Sequence, residues 1–212
     1  MLGPNGAGKS TSFKMMCGLA KPTSGTAKIM GADIIKNPTL ARSYLGYMAQ
    51  KFSLYGNMTV LANLNFFAGI YGLPLQTLSQ RVQEMLEVFG LSDYKNDLAD
   101  TIPLGLKQRL SLACALIHNP PILFLDEPTS GVDAITRREF WCHLRALAAK
   151  GVTILITTHF MDEAELCDNI SLFYNGETIA LGRPDELKQK AKAATMDEAF
   201  IKLIEARNST SN

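Results

Sequence analysis

The sequence predicts an α/β fold, a mostly parallel sheet carrying helices and interrupted by a helical lobe. Three observations carry this prediction. Continuous apolar runs at 122–125 and 152–156 stand between helical periodicities, as strands covered on both faces do. A glycine-rich run at 3–8 opens directly onto helical sequence. From residue 52 to about 102 the texture shifts to two amphipathic helical segments in succession.

In chain order, Gly3-Pro4-Asn5-Gly6-Ala7-Gly8-Lys9-Ser10-Thr11 fits the phosphate-binding pattern G-x-x-x-x-G-K-[ST] in full. Glycines there let successive backbone N–H groups turn inward around a polyphosphate, where a Cβ would obstruct the turn and the approach. Lys9 is placed to reach the terminal phosphates, and the Ser10 hydroxyl can ligate Mg²⁺. The following helix, expected over 9–17, points its positive end at the anion. A glycine turn before an ordinary helix is the plain alternative. Only Met1 and Leu2 precede the loop, too few for the buried strand such a loop normally follows. The chain is therefore expected to lack its first strands.

Residues 21–25 read as a turn, 26–30 as a short strand, Gly31 as a bend, and 43–49 as a second strand ending at Gln50. Helices follow over 59–71 and 77–89. In the second, Leu78, Val82, Met85, Leu86 and Phe89 share one face, and Gly90 stops it. Residues 103–118 begin as a turn and become a helix, with Leu106, Leu110, Ala113 and Ile117 along one side until Pro120-Pro121. The strand at 122–125 ends in Asp126-Glu127. Asp133 is a good N-cap for a helix to 150, and the strand at 152–156 ends in Thr157-Thr158-His159. A helix is expected over 160–167, a hairpin about Asn175-Gly176, helices over 184–194 and 196–207, and a frayed polar tail. The expected division is a first core part at 1–51, a helical lobe at 52–102, a second core part at 110–182 and a C-terminal helical extension at 183–212.

Composition narrows the function. The 212 residues are 47% hydrophobic and 19% charged with a net charge of +1, which leaves no basic excess for bulk nucleic-acid binding. Four scattered cysteines lack any C-x-x-C spacing, so they read as thiols in a reducing compartment rather than a zinc site or disulfide framework. No apolar run reaches the roughly 18 residues that suggest a membrane span, and no signal peptide is recognisable. Any membrane spans must come from other chains.

The acid at the end of an apolar strand, Asp126, can hold Mg²⁺, and Glu127 next to it can polarise a water as general base. Two solvated acids at a strand end would explain the pair equally well without the phosphate loop. Functional groups in parallel sheets gather at carboxyl strand ends, so the loop, Gln50, Asp126, Glu127 and His159 are expected to converge on one crevice.

The ordered set of the loop at 3–11, Gln50, Leu125-Asp126-Glu127-Pro128-Thr129-Ser130-Gly131-Val132-Asp133 and Thr157-Thr158-His159 resembles the ATP-binding cassette ATPases over nearly the whole chain. The resemblance implies a P-loop NTPase (RecA-like) core, with ATP and Mg²⁺ as ligands. By it, Gln50 is the lid glutamine that ligates Mg²⁺ and senses a membrane partner. Asp133 is the acid of a loop crossing between two halves of a dimer, and His159 is the switch histidine on the γ-phosphate. A strand-capping histidine is the plain alternative for His159. His118 and His143 match no motif and read as ordinary helix residues.

Two departures stand out. The family signature Leu-Ser-Gly-Gly-Gln is here Ile102-Pro103-Leu104-Gly105-Leu106, ahead of Lys107-Gln108-Arg109. Pro103 supplies neither a hydroxyl nor an N–H, so a weaker contact across the dimer is expected on this side. The aromatic residue on which adenine stacks in the family, upstream of the loop, has no counterpart in these residues. The segment at 55–72, with Phe66-Phe67, is similar in texture to ATPase subunits of bacterial multidrug (ABC-2 type) exporters. The resemblance thus implies a cytoplasmic ATPase, peripheral at the inner face of the plasma membrane. It would work with integral membrane permease subunits and dimerise with itself or a related half, with no nucleic acid. A soluble cassette acting on ribosomes or DNA, and a truncated non-catalytic nucleotide-binding fragment, are the alternatives.

Overall fold

The computed structural model describes residues 1–210, with side chains through 207; the end of the expected frayed tail, 211–212, lies outside the described residues. The chain forms two compact units, Met1–Ala20 with Ile156–Asn212, and Lys21–Leu155.

In the second of these, β1 (Lys28–Ile29) and β2 (Ala32–Asp33) form a two-residue hairpin. Met30 and Gly31, at φ 48° and 81°, make its turn, so the expected strand at 26–30 is shorter and doubles back. A short helix that periodicity does not announce, α2 (Pro38–Ser43), starts on Pro38, whose fixed φ suits a first helical position. Next come β3 (Leu45–Met48), α3 (Val60–Ile70) and α4 (Leu75–Val88). After a 3-10 turn at Ser92–Tyr94 the chain continues as α5 (Leu104–Leu116), β4 (Ile122–Asp126), α6 (Ala134–Ala149) and β5 (Thr153–Thr157). The sheet order is β3-β4-β5, and β3 runs parallel to β4 with Leu45 opposite Ile122 and Met48 opposite Leu125.

Gly46 lets the α5 backbone lie directly on this sheet: a Cβ there would sit 2.1 Å from the Ala115 carbonyl oxygen. Covered in this way, α5 is buried nearly all round from Leu112 to Ile117, rather than along the single stripe expected from Leu106 to Ile117. Strand β5 departs in the opposite sense, since Thr153 is exposed and only Ile156 and Thr157 are buried. In the helical part, Thr59 caps α3 by accepting from the Ala62 N–H at 3.1 Å. The fully buried Asn63 accepts from Tyr55 N (3.0 Å) and donates to the Tyr55 (2.9 Å), Met58 (3.4 Å) and Thr59 (3.0 Å) carbonyls, which braces the loop after Gln50.

His118 corrects the reading of an ordinary helix residue. It lies beyond the end of α5, stacked on Tyr71 at 3.6 Å and 11°, and its Nε2 donates to the Leu45 carbonyl at 3.2 Å. Arg81 of α4 donates to the Ile117 (3.0 Å) and Leu116 (2.8 Å) carbonyls, closing the C-terminal end of α5 beside it. Burial pushes the His118 pKa down to about 4, with the Arg81 charge acting the same way against the Leu45 hydrogen bond.

The other unit holds α1 (Lys9–Met16), the end of β5, α7 (Met161–Ala164), a hairpin of β6 (Ile170–Tyr174) and β7 (Glu177–Gly182), α8 (Pro184–Ala191) and α9 (Met196–Thr210). The expected helix at 160–167 is the single turn α7. The hairpin turns at Asn175 and Gly176, at φ 49° and 81°, as that dipeptide demands. As expected, Met1 and Leu2 form no strand, but Leu2 makes two isolated bridges. Leu2 bridges in parallel to both Thr158 and Leu172, its N–H donates to Ser171 O (2.9 Å), and its carbonyl accepts from Phe173 N (2.7 Å). Its side chain is buried in a cluster with Ala164, Leu172, Leu187 and Phe200.

Two measurements check this packing. A Cβ on Gly3 would lie 2.3 Å from the Phe173 carbonyl oxygen, so Gly3→Ala is expected to cost about 2–3 kcal/mol in urea unfolding. Between the ordinary histidine value of 6.5 and about 4, the unfolded chain takes up a proton that folded His118 does not. Stability therefore falls as pH drops through that window. In His118→Phe the urea midpoint is expected to lose less on acidification than in the parent chain.

Candidate functional site

The phosphate-loop residues lie between Leu2 and α1. Gly8, at φ 94°, caps the helix, and Ser12 N donates to its carbonyl at 3.0 Å, so the loop opens onto the helix start. Ala7 N donates to Pro4 O (3.2 Å), which makes the turn over Asn5 and Gly6, and Gly6 takes φ 80°. The β6–β7 hairpin backs the loop: Gly176 N donates to Ala7 O (3.1 Å), and a Cβ on Gly8 would meet the Gly176 Cα at 3.3 Å. Lys9 is buried, and its Nζ donates to the carbonyls of Gly3 (2.7 Å) and Pro4 (3.0 Å). Pro4, Asn5 and Gly6 are exposed, while Ser10 is half-buried in the first turn of α1 with the exposed Thr11 after it.

His159 belongs to the same unit. Thr158 pairs with Leu2, so His159 leaves the strand beside the point where Gly3 enters the loop. The half-buried ring rests on Phe160, centroids 4.2 Å apart. Thr158 and Glu163 flank it, with the Thr158 hydroxyl donating to Glu163 at 2.6 Å. The sequence reading names Thr158 only as part of the motif before His159 and gives Glu163 no role. A hydroxyl residue just before His159 and an acid in the next short helix are the signal that could have found them.

In the unit 21–155, the in-register parallel pairing of β3 and β4 brings the residues after their carboxyl ends together. The Gln50 Nε2 donates to Glu127 Oε2 at 2.9 Å. Asp126 ends β4 with a buried carboxylate, and Glu127 is buried beside it with a backbone φ of 47°. That conformation is uncommon without glycine and is held by the turn in which Ser130 N donates to Glu127 O (3.1 Å). Sequence reasoning had assigned Gln50 to Mg²⁺ and to sensing a partner; its direct bond to Glu127 is an additional finding.

Leu104, Gly105 and Asp133 meet elsewhere in that unit, around a cavity of about 410 Å³ lined by the start of α5 and residues 131–133. A Cβ on Gly105 would lie 2.7 Å from Thr136 Cγ2, so glycine is what lets α5 meet α6 there. Pro103 is the residue before α5, and Leu104 is exposed. Asp133 caps α6: it accepts from Ile135 N and Thr136 N, both 2.9 Å, and from Thr136 Oγ1 at 2.6 Å. The Thr136 hydroxyl and amide, followed by other backbone amides, hold its carboxyl below the usual range.

Among the described residues there is no cluster of three His, Cys, Asp or Glu side chains that could hold a metal ion. The residues expected at Mg²⁺ offer a hydroxyl (Ser10), an amide (Gln50) and a carboxylate (Asp126). These are hard oxygen donors few enough to leave coordination positions to water and phosphate, a set that fits Mg²⁺. All four cysteines are free, with Cys17 and Cys114 buried and Cys142 exposed. No helix among the described residues is long and apolar enough to cross a membrane.

Comparison with known proteins gives a family. Residues 1–130 match the model described as ABC transporter. The chain is 57% identical over 209 residues to the probable multidrug ABC transporter ATP-binding protein YbhF of Escherichia coli (strain K12). That match takes in 96% of this chain but 36% of the relative, so the chain spans about a third of that protein's length. Among solved structures, the ATP-binding subunit of an ABC transporter superposes with a TM-score of 0.86 at 30% identity, covering 96% of this chain and 86% of that one. The dimeric cassette MJ0796, in a post-hydrolysis state with ADP and Pi, gives 0.78 at 28% identity, covering 86% and 83%. The fold agrees with these matches, and the chain belongs to the ABC transporter family.

Proposed function

We propose that this chain binds Mg²⁺–ATP, hydrolyses it to ADP and phosphate, and thereby energises export through integral membrane permease subunits. The observation that carries the reading is the loop from Gly3 to Gly8, which opens onto the α1 N-terminus with the Lys9 ammonium fixed over its own carbonyls. Backbone N–H groups and a buried cation in that arrangement favour a polyphosphate. Asn5, Gly6, Ala7 and Gly8 line the loop, and Thr11 extends it into the helix.

In this reading Ser10, Gln50 and Asp126 hold Mg²⁺, which neutralises charge on the phosphate oxygens when bound. Glu127 accepts a proton from the attacking water, and Gln50, already bonded to one carboxylate oxygen, orients the other. His159 steadies the γ-phosphate with its ring. Gly105 and Leu104 at the α5 start, and the loop carrying Asp133, face a second cassette, either another copy or a related half. That the MJ0796 relative is dimeric supports this part. The export role is supported by the multidrug transporter name of the 57% identical relative. In this reading the chain works at the cytoplasmic face of its permease.

Mg²⁺-dependent ATP turnover by the purified chain tests the reading. Lys9→Ala is expected to raise the apparent KM for ATP and to lower kcat. Glu127→Gln is expected to lower kcat by about a hundredfold or more, with nucleotide binding retained. Equal turnover in all three chains would overturn it. The signature side has its own check. Pro103→Ser with Leu104→Gly restores a hydroxyl and backbone N–H donors at the α5 start, so turnover of the homodimer is expected to rise. An unchanged rate would mean that this side does not limit the reaction.

A further inference from the structure

We infer that Glu163 is a positioning residue for His159, acting through the Thr158 hydroxyl; the inference rests on the ATPase reading above. Glu163 is 1% exposed, Thr158 is 4% exposed, and the two are joined by a 2.6 Å hydrogen bond. The direction of that bond is set by a third group. Phe160 N donates to the Thr158 oxygen at 3.0 Å, so the hydroxyl's single proton is left for the Glu163 carboxylate. One hydroxyl thus ties the residue before His159 to the residue after it, and the carboxylate holds that hydroxyl in one rotamer.

The remaining bonds make the platform rigid at both ends. Thr158 N donates to Met1 O (3.0 Å), and Thr158 bridges Leu2, the residue before the phosphate loop. Glu163's own carbonyl accepts from Leu166 N (3.1 Å) and from the Cys167 thiol (3.6 Å). Burying a carboxylate is costly unless it is hydrogen-bonded, and an apolar side chain would pack here without that cost. What the acid contributes is a fixed backbone at residue 159, and so a fixed place for a ring that has to meet one phosphate oxygen.

The test uses the full chain and two readouts. The chain has three histidines, so the ring C2-proton resonance of His159 is assigned by its loss in His159→Ala. Glu163→Ala and Thr158→Val are expected to shift that resonance and leave those of His118 and His143 in place, while Glu163→Gln, which still accepts from the hydroxyl, keeps it. In turnover, Glu163→Ala is expected to lower kcat about tenfold to a hundredfold, with the KM for ATP within about twofold. Added to His159→Ala, it is expected to change nothing further. An unmoved His159 resonance in Thr158→Val, or additive losses in the double variant, would overturn the brace. If Glu163→Ala does not fold, Thr158→Val carries both readouts. His159→Ala at the parent rate sinks the role given to His159 and the brace with it. Loss in His159→Ala beside full activity in Glu163→Ala and Thr158→Val sinks the brace alone.

Discussion

Leu2 is the residue on which the phosphate loop depends. It is bonded on both sides, to Thr158 and to the β6 strand around Leu172, and its side chain is the buried plug of the cluster beneath. The loop that follows is fastened again at Ala7 by the hairpin turn. A glycine-rich backbone loses much conformational entropy on ordering, and these two attachments confine it before any ligand contributes. The same bridge to Thr158 brings His159 alongside, so loop and histidine share one support.

In the unit 21–155 the corresponding constraint is close backbone contact. Gly46 admits α5 to the face of the sheet, and Gly105 admits the start of α5 to α6. Between them, helix α5 is held along its length, and β3 and β4 keep the register that sets Gln50 against Glu127. Glu127 occupies a left-handed backbone conformation worth about 1–3 kcal/mol of strain, and the buried surroundings of β4 keep it there. The site chemistry is thus held by rigid neighbours.

Legibility followed the range of the forces involved. Local patterns were readable. Lys9 starts α1 as the loop motif requires, Asp133 caps the helix it precedes, and Asn175-Gly176 makes the turn its composition demands. Contacts between distant segments were not. Nothing near Leu2 announces that it bridges two segments, because its partners are Thr158 and Leu172. The stripe read along α5 is buried at Leu110, Ala113 and Ile117, but it understates the burial, because a helix covered on several sides needs no polar face. The expected helix at 160–167 shrank to one turn, and its sequence does not show that Glu163 turns inward to Thr158 rather than toward solvent. His118 read as a helix residue because its partners, Tyr71 and Leu45, lie far away in sequence.

The double bonding of Leu2 also has a consequence for how the protein comes to exist. Its partners lie in residues 158 to 173, so the loop that follows it cannot be fastened until the ribosome has released that late segment. Contacts so distant in sequence form slowly, because the intervening chain must be ordered or looped first. During synthesis the glycine loop thus waits for strand partners made more than 150 residues later. A nascent chain therefore cannot hold this loop in place before the β6 strand has been made.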